Sequence, residues 1–259
     1  MEYLLSFSHE KNVEDIILYH VLGRKLDVFW IDVGANDPVF SSVTKFFSIG
    51  GGCGINIEPQ PLYASKYVED RPKDINLTIG ISDVHGKMKL YGNGESASLD
   101  VSNTHVRGIG SSEISVWTLK EVCDQYVQHD QIIHFLKIDV EGWEKQCLKG
   151  MDFKCYRPWI LCIESTEPTT ENPGYTAWEN IVIDNGYVYA GEKYANRYYV
   201  LSEKKNILDR FQEIGHLDEY YDITFYSERK RYEKYIRILY SKELAPLRWL
   251  RRCVKRITG

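Results

Sequence analysis

Hydrophobic and polar positions along the chain follow two alternating patterns. Apolar residues recur at helical spacing over residues 13–22, 43–49, 61–68, 117–127 and 144–150. Between them lie short apolar runs typical of buried strands, at residues 28–33, 54–58, 75–82, 132–140 and 159–164. The alternation predicts repeated β-α-β units, and therefore an α/β fold with a mostly parallel central sheet and helices on both faces.

The rest of the pattern predicts how the sheet closes and where the domain ends. Residues 87–91 predict a further strand, and the Gly-, Ser- and Asn-rich residues 92–112 predict a surface loop. Residues 181–190 and 197–201 predict a C-terminal hairpin. We therefore expect one α/β domain over residues 1–202 and a helical, basic extension over residues 203–259.

Polar side chains lie at the carboxyl end of each predicted strand. They are Asp32, Glu58, Ser82 with Asp83, Asp139 with Glu141, and Glu164. An acid at such a position is often the N-cap of the next helix. Because five successive strands end in this way, and because ligands of parallel sheets bind beyond the carboxyl ends of the strands, a shared cleft explains the pattern better.

The turn after the first strand indicates which kind of ligand this cleft binds. Asp32-Val-Gly-Ala-Asn-Asp37 has a single glycine, so it lacks the G-x-G-x-x-G fingerprint of dinucleotide sites. Its two acids would repel a pyrophosphate and attract a cationic ligand such as S-adenosylmethionine. Glu58 can accept hydrogen bonds from ribose hydroxyls in either cofactor. The predicted cofactor-binding residues are Asp32, Gly34, Asn36, Asp37, Glu58, Ser82, Asp83 and Asp139.

Five segments resemble the FkbM family of S-adenosylmethionine-dependent methyltransferases. They are Asn12-Val-Glu-Asp-Ile-Ile-Leu18, Trp30-Ile-Asp-Val-Gly-Ala-Asn-Asp-Pro38, Asn56-Ile-Glu-Pro-Gln-Pro61, Leu136-Lys-Ile-Asp-Val-Glu-Gly-Trp-Glu144 and Arg157-Pro-Trp-Ile-Leu-Cys-Ile-Glu164. The resemblance implies a Rossmann-like class I methyltransferase that methylates oxygens of sugars in glycans or of secondary metabolites, with S-adenosylhomocysteine as product. Segments near residues 167–168, 178–179 and 196–200 resemble a branch found with bacterial surface-polysaccharide genes.

The expected reaction is methyl transfer to a sugar hydroxyl of a bacterial surface glycan or its precursor. A hydroxyl is a weak nucleophile, so a general base is expected, and Asp139 and Glu164 are the leading candidates, followed by Glu141. No metal is predicted, although Asp139, Glu164 and Glu167 could supply oxygens to Mg²⁺ or Ca²⁺. The predicted acceptor-binding residues are Glu167, Thr169, Tyr194, Asn196 and Arg197.

The charge distribution limits the possible partners. The net charge is −5, but residues 228–259 hold eleven Lys or Arg against three Glu. Because the remainder is strongly acidic, nucleic acid is not an expected partner. The basic tail has helical spacing, which predicts packing on the acidic body or on a second subunit of a homodimer. The alternative is a peripheral helix at anionic lipid.

Other features predict a cytoplasmic protein, with the inner face of the membrane as the alternative location. The chain has no long apolar span, no secretory leader pattern and no paired cysteine motif. Two other functions stay open: an NAD-dependent sugar oxidoreductase or epimerase, and a non-catalytic module of a polysaccharide-assembly complex. The missing glycine fingerprint disfavours the first, and the complete set of strand-end acids disfavours the second.

Overall fold

The computed structural model describes residues 2–100, 110–167 and 172–227. The strands are β1 (Glu2–Ser6), β2 (Phe29–Val33), β3 (Cys53–Ile57), β4 (Ile75–Leu77), β5 (Gly80–Ile81), β6 (Gly86–Tyr91), β7 (Ser111–Trp117), β8 (Phe135–Ile138), β9 (Ile160–Glu164), β10 (Tyr187–Lys193), β11 (Asn196–Leu201) and β12 (Tyr221–Phe225). The helices are α1 (Glu14–Val21), α2 (Lys45–Ile49), α3 (Pro61–Asp70), α4 (Leu119–Tyr126), α5 (Glu144–Lys149), α6 (Glu179–Asp184), α7 (Lys205–Phe211) and α8 (Leu217–Tyr220).

A seven-stranded sheet forms the centre of the fold, in the order β10-β11-β9-β8-β2-β3-β4. The five strands from β9 to β4 pair in parallel, whereas β11 runs antiparallel to both β9 and β10. The predicted mixed α/β architecture with a mostly parallel sheet is therefore confirmed, and it is compatible with a methyltransferase fold.

Two apolar clusters occupy the two faces of this sheet. Along β8, Leu136 and Ile138 enter one cluster and Phe135 enters the other, because successive side chains of a strand point to opposite faces. Helices α4, α5 and α6 contribute to the first cluster, and α1, α2 and α7 contribute to the second. This coverage on both sides explains why the central strands are continuous apolar runs.

The prediction of one strand over residues 75–82 is wrong, because the structure divides these residues between two sheets. β4 pairs with β3 in the central sheet, whereas β5 pairs with β7 in a three-stranded sheet ordered β5-β7-β6. A Cβ at Gly80 would lie 2.8 Å from Cδ1 of Ile114, so a larger residue here would require the Ile114 side chain to shift. β7 itself was not predicted: it overlaps the end of the loop expected over 92–112.

The predicted C-terminal hairpin is correct in its second half only. Residues 181–184 belong to α6, and the first hairpin strand, β10, begins at Tyr187. Between them Gly186 has a φ of +86°, the left-handed conformation that commonly ends a helix. The sequence pattern predicts one strand across the end of α6 and the start of β10 because both segments are apolar.

The two ends of the described chain meet outside the central sheet. β1 pairs in parallel with β12, with Glu2 opposite Tyr221, and α7 packs against α1. The domain division after residue 202 stays a prediction. The basic residues 228–259 lie outside the described ranges, so the tail's helix and its contact with lipid or a second subunit also stay predictions. In the described ranges, no helix is long and apolar enough to cross a membrane.

Candidate active site

A cavity of about 340 Å³ opens where β2, β3, β8 and β9 end. This volume is in the range of small-molecule sites. The structure brings nine of the predicted site residues together in its lining: Asp32, Gly34, Asn36, Glu58, Asp139, Glu141, Glu164, Tyr194 and Asn196. Their functional roles stay predictions.

Gly34 allows the turn after β2 to contact the end of β8. Its φ is +79°, and a Cβ at this position would overlap the carbonyl oxygen of Asp139. The backbone N–H of Asp139 donates to the carbonyl of Val33 across 3.0 Å, and the N–H groups of Gly34 and Ala35 both donate to the carbonyl of Ile57. Any side chain at position 34 would therefore separate the strand ends that form the cavity floor.

Glu58 is held in the cavity wall by backbone hydrogen bonds. Its Oε2 accepts from the N–H of Asn36 at 3.0 Å, and its Oε1 accepts from the N–H of Gln60 at 2.9 Å. Burial raises the pKa of Glu58, and the two backbone hydrogen bonds partly offset that rise. Because each carboxylate oxygen retains a further lone pair, Glu58 can also accept hydrogen bonds from hydroxyls of a ligand.

Lys137 places a buried positive charge beneath the cavity. Its Nζ lies 3.1 Å from Oδ2 of Asp139 and 3.8 Å from Oδ1 of Asp32. Burial by itself lowers the pKa of Lys137, but the carboxylates of Asp139, Asp32 and Glu14 raise it above its ordinary value. The lysine therefore stays charged and neutralises part of the acidic lining.

Three carboxylates meet at the ends of β8 and β9. Oxygens of Asp139, Glu141 and Glu164 lie within 4.8 Å of one another. Burial raises the pKa of Glu164 well above its usual range, and the charge of Asp139 raises it further. Carboxylates this close can share one proton or one cation. Glu167, the third residue considered for a metal, is not in this group of side chains.

The hairpin turn contributes a polar and aromatic wall. The Tyr194 ring is 60% exposed at the cavity, with Nζ of Lys11 lying 5.0 Å from its centroid. Asn196, at the start of β11, is buried and donates from Nδ2 to Oε1 of Glu14 across 3.0 Å. Burial raises the pKa of Glu14 to about 7.

Two predicted site residues point away from the cavity and have other partners. Oδ2 of Asp37 lies 2.7 Å from Nζ of Lys66, and Oδ1 accepts from two backbone N–H groups of its own turn. Arg197 follows Asn196 on β11, so its side chain lies on the opposite face of the sheet. There it packs 3.6 Å from the centroid of the Tyr175 ring and pairs with Glu179.

Three more predicted residues that the structure describes, Ser82, Asp83 and Glu167, are also absent from the cavity lining. Ser82 donates to Asp83 and accepts a long hydrogen bond from the indole of Trp143, because β5 has left the central sheet. The backbone N–H of Glu167 donates to the carbonyl of Asn172 across 2.8 Å. Thr169 lies outside the described residues.

Sequence reasoning missed three residues that line the cavity: Asn12, Glu14 and Lys137. All three lie in segments that carry the family resemblance, which was the available signal, but no role was assigned to them. The cavity also contains six buried oxygens without a hydrogen-bond partner among the described residues: Asn12 Oδ1, Glu14 Oε2, Asp32 Oδ1, Asn36 Oδ1, Glu164 Oε2 and Asn196 Oδ1. Buried acceptors are normally satisfied, so this concentration indicates a site for a ligand rich in hydrogen-bond donors.

Comparison with known proteins identifies the family. No curated protein shows a significant match to the chain. The family model described as the methyltransferase FkbM domain matches residues 32–189, which is more than half of the 259 residues. This range begins inside β2, at Asp32, and contains the acidic group together with β3, β8 and β9. The chain therefore belongs to the FkbM methyltransferase family.

Proposed function

We propose that the protein is an S-adenosylmethionine-dependent O-methyltransferase that methylates a hydroxyl of a sugar in a bacterial surface glycan or its precursor. The observation that carries the proposal is the set of six unsatisfied oxygens in an acidic cavity at the ends of the parallel strands. S-adenosylmethionine offers an ammonium group, a sulfonium charge and ribose hydroxyls, which suit acceptor oxygens better than a pyrophosphate would.

The strand order supports a Rossmann-like class I arrangement. β2 lies between β3 and β8, so the chain builds the sheet outward in both directions from β2. In such sheets the crevice at this switch point is the usual binding site. Gly34 and Asn36 lie at this crevice, and Glu58 ends the neighbouring strand.

The residues in the lining fit the cofactor that the family implies. When bound, S-adenosylmethionine supplies a methyl group that an oxygen nucleophile can attack. Glu58 would hold the ribose hydroxyls, since its carboxylate is already oriented by two backbone N–H groups. Asp32 and Asn36 would hold other donors of the cofactor through oxygens that lack partners among the described residues.

Asp139 and Glu164 would orient the acceptor hydroxyl and accept its proton. As the acceptor oxygen gains the methyl group, its proton must pass to a base. Lys137 forms an ion pair with Asp139 at 3.1 Å, whereas the raised pKa of Glu164 makes it the better proton acceptor. We therefore assign proton uptake to Glu164 and the orientation of the acceptor to Asp139, with Tyr194 as a surface for the sugar ring.

Calorimetry with S-adenosylhomocysteine tests the cofactor assignment. The wild-type protein should bind this product, and Glu58→Gln should weaken binding about 10-fold, because a hydrogen bond to a charged group is worth about 1.5–3 kcal/mol. Glu113→Gln is the matched control, since Glu113 is exposed and pairs with Lys87 on the three-stranded sheet. No heat of binding to the wild-type protein would contradict the proposal.

Transfer of labelled methyl groups to a panel of nucleotide sugars and glycans tests the acceptor class. Glu164→Gln should lower kcat strongly while leaving the affinity for S-adenosylhomocysteine within about twofold, because its role is in proton transfer. Methylation of small non-sugar hydroxyl compounds in preference to every sugar would contradict the sugar assignment while leaving the methyltransferase assignment intact.

A further inference from the structure

The N-terminal segment and the hairpin together place three of the six open acceptor atoms in the cavity. Oε2 of Glu14, Oδ1 of Asn196 and Oδ1 of Asn12 all belong to residues that line the cavity, and none has a hydrogen-bond partner among the described residues. Glu14 is 3% exposed and Asn196 is 1% exposed. All three residues lie outside the range matched by the family model.

The two buried side chains fix each other. Nδ2 of Asn196 donates to Oε1 of Glu14 across 3.0 Å, so each residue uses one polar atom on the other and leaves one oxygen open. Asn12 precedes Val13, which has a φ of +48°, an unfavourable conformation for a β-branched residue. This backbone turn precedes α1 and leaves both Asn12 and Glu14 in the cavity lining.

The chemistry of these atoms selects the ligand group. The three open atoms are all oxygens, so an anion would be repelled and a single hydroxyl could donate to only one of them. A protonated primary amine has three N–H donors and a positive charge. Lys137, the nearby cation, pairs with Asp32 and Asp139 within 4.0 Å, so its charge is shared with those two carboxylates.

We propose that Asn12, Glu14 and Asn196 form a binding site for a protonated primary amine. The inference rests on the proposed function, in which the methionyl part of the cofactor carries such an amine. An amino group on the acceptor sugar has the same chemistry. The site therefore makes the N-terminal segment part of the ligand-binding machinery, together with the strand ends of the family domain.

Two nucleosides, one with and one without a primary amine in an amino acid portion, test whether the site binds the amine of the cofactor. S-adenosylhomocysteine carries the amino acid portion, whereas 5′-methylthioadenosine lacks it. Glu14→Gln should weaken calorimetric binding of S-adenosylhomocysteine about 10-fold or more, and leave binding of 5′-methylthioadenosine within about twofold. Asn12→Ala, which removes one neutral acceptor at a half-buried position, should show the same selectivity with a loss of about fivefold. Glu113→Gln should change neither affinity.

Other outcomes would show that the amine comes from the acceptor sugar, that the amine site does not exist, or that the proposed function is wrong. The amine belongs to the acceptor if Glu14→Gln leaves the affinity for both nucleosides unchanged but raises the KM for amino sugars relative to the wild-type protein. The KM for the corresponding hydroxyl sugars should then stay at the wild-type value. Wild-type affinities and KM values in both folded variants would overturn the inference. Failure of the wild-type protein to bind either nucleoside would instead contradict the proposed function, on which the inference rests.

Discussion

Two buried clusters of charged and polar side chains lie next to each other on the central sheet, and they differ in what they leave unsatisfied. The closed cluster comprises Arg71, Asp74, Asn56 and Thr44, and the open cluster comprises Lys137, Asp32, Asp139 and Glu14. The hydroxyl of Thr44 joins the two clusters by donating to Oδ2 of Asp32 across 3.5 Å. Only the open cluster lines the cavity.

In the closed cluster the protein supplies nearly every hydrogen-bond partner; the exception is Oδ1 of Asp74, which has none among the described residues. Nε of Arg71 donates to Oδ2 of Asp74 across 2.7 Å, Nη2 donates to the hydroxyl of Thr44, and Nη1 donates to the carbonyl of Pro38. Nδ2 of Asn56 donates to the same oxygen of Asp74. A buried charge with this many hydrogen bonds holds α3 and β3 together.

In the open cluster one lysine pairs with two carboxylates. Lys137 pairs with Asp139 and Asp32, while Oε2 of Glu14 and Oδ1 of Asp32 have no hydrogen-bond partner among the described residues. Leaving such atoms unsatisfied costs stability. A buried polar cluster therefore indicates a site only where its open atoms face a cavity.

Arg71→Met should be the most destabilising of these changes. It leaves the Asp74 carboxylate buried without its guanidinium, and removing one partner of a buried ion pair costs about 3–5 kcal/mol. Urea denaturation should show this loss. Because the closed cluster does not line the cavity, the folded fraction should still bind S-adenosylhomocysteine within about twofold of the wild-type affinity. Lys66→Met, at an exposed ion pair, is the control and should cost no more than about 1 kcal/mol. Equal stability of the two variants would contradict the distinction between buried and exposed pairs.

Glu14 should make the open cluster sensitive to pH. Burial raises its pKa from 4.5 to about 7, with Lys137 lowering it and Asp15 and Asp139 raising it by smaller amounts. Because the folded state favours the protonated form, this contribution to stability is fully present below pH 4.5 and is lost as pH rises through 7. The shift corresponds to about 3 kcal/mol.

Glu14→Gln removes this titration, so the difference in unfolding free energy between variant and wild type should change across that pH range. Urea denaturation at four pH values between 4.5 and 7.5 measures it. Glu144, whose pKa is also raised to about 7, titrates in both proteins and cancels in the difference. A constant difference across the range would show that Glu14 is not desolvated as the structure indicates.

The parts of the fold that the sequence could predict are those that depend on local pattern rather than on a distant partner. Strands such as β2 and β9 are short apolar runs ended by Gly34 or by an acid, so their position and the cleft beyond them follow from local pattern. The division of residues 75–82 does not, because it depends on β7 arriving from more than thirty residues later to pair with β5. Pattern within a window carries no information on such a partner.

The candidate site divides in the same way. Asp32, Glu58 and Glu164 were found because each lies at the end of a strand. Lys137 was missed because only Asp139 is near it in the sequence, whereas Asp32 lies opposite it on the neighbouring strand β2, more than a hundred residues earlier. Glu14 was missed because a helix-start acid normally complements the helix dipole at the surface, and its burial depends on contact with Asn196, far along the chain.

Asp37→Asn should have the smallest effect, although Asp37 was predicted to bind the cofactor together with Asp32. Its carboxylate pairs with Lys66, which is itself half exposed, and accepts two backbone hydrogen bonds that an asparagine oxygen can replace. The pKa of Asp37 is lowered because these bonds outweigh the effect of burial. Since the residue does not line the cavity, binding of S-adenosylhomocysteine should stay within about twofold and the loss of stability below about 1 kcal/mol. Asp32→Asn removes the same charge five residues earlier in the sequence, but inside the cavity, and calorimetry should show that it weakens binding more than Asp37→Asn does. The reverse order would mean that charge near the turn, rather than open oxygens in the cavity, attracts the ligand.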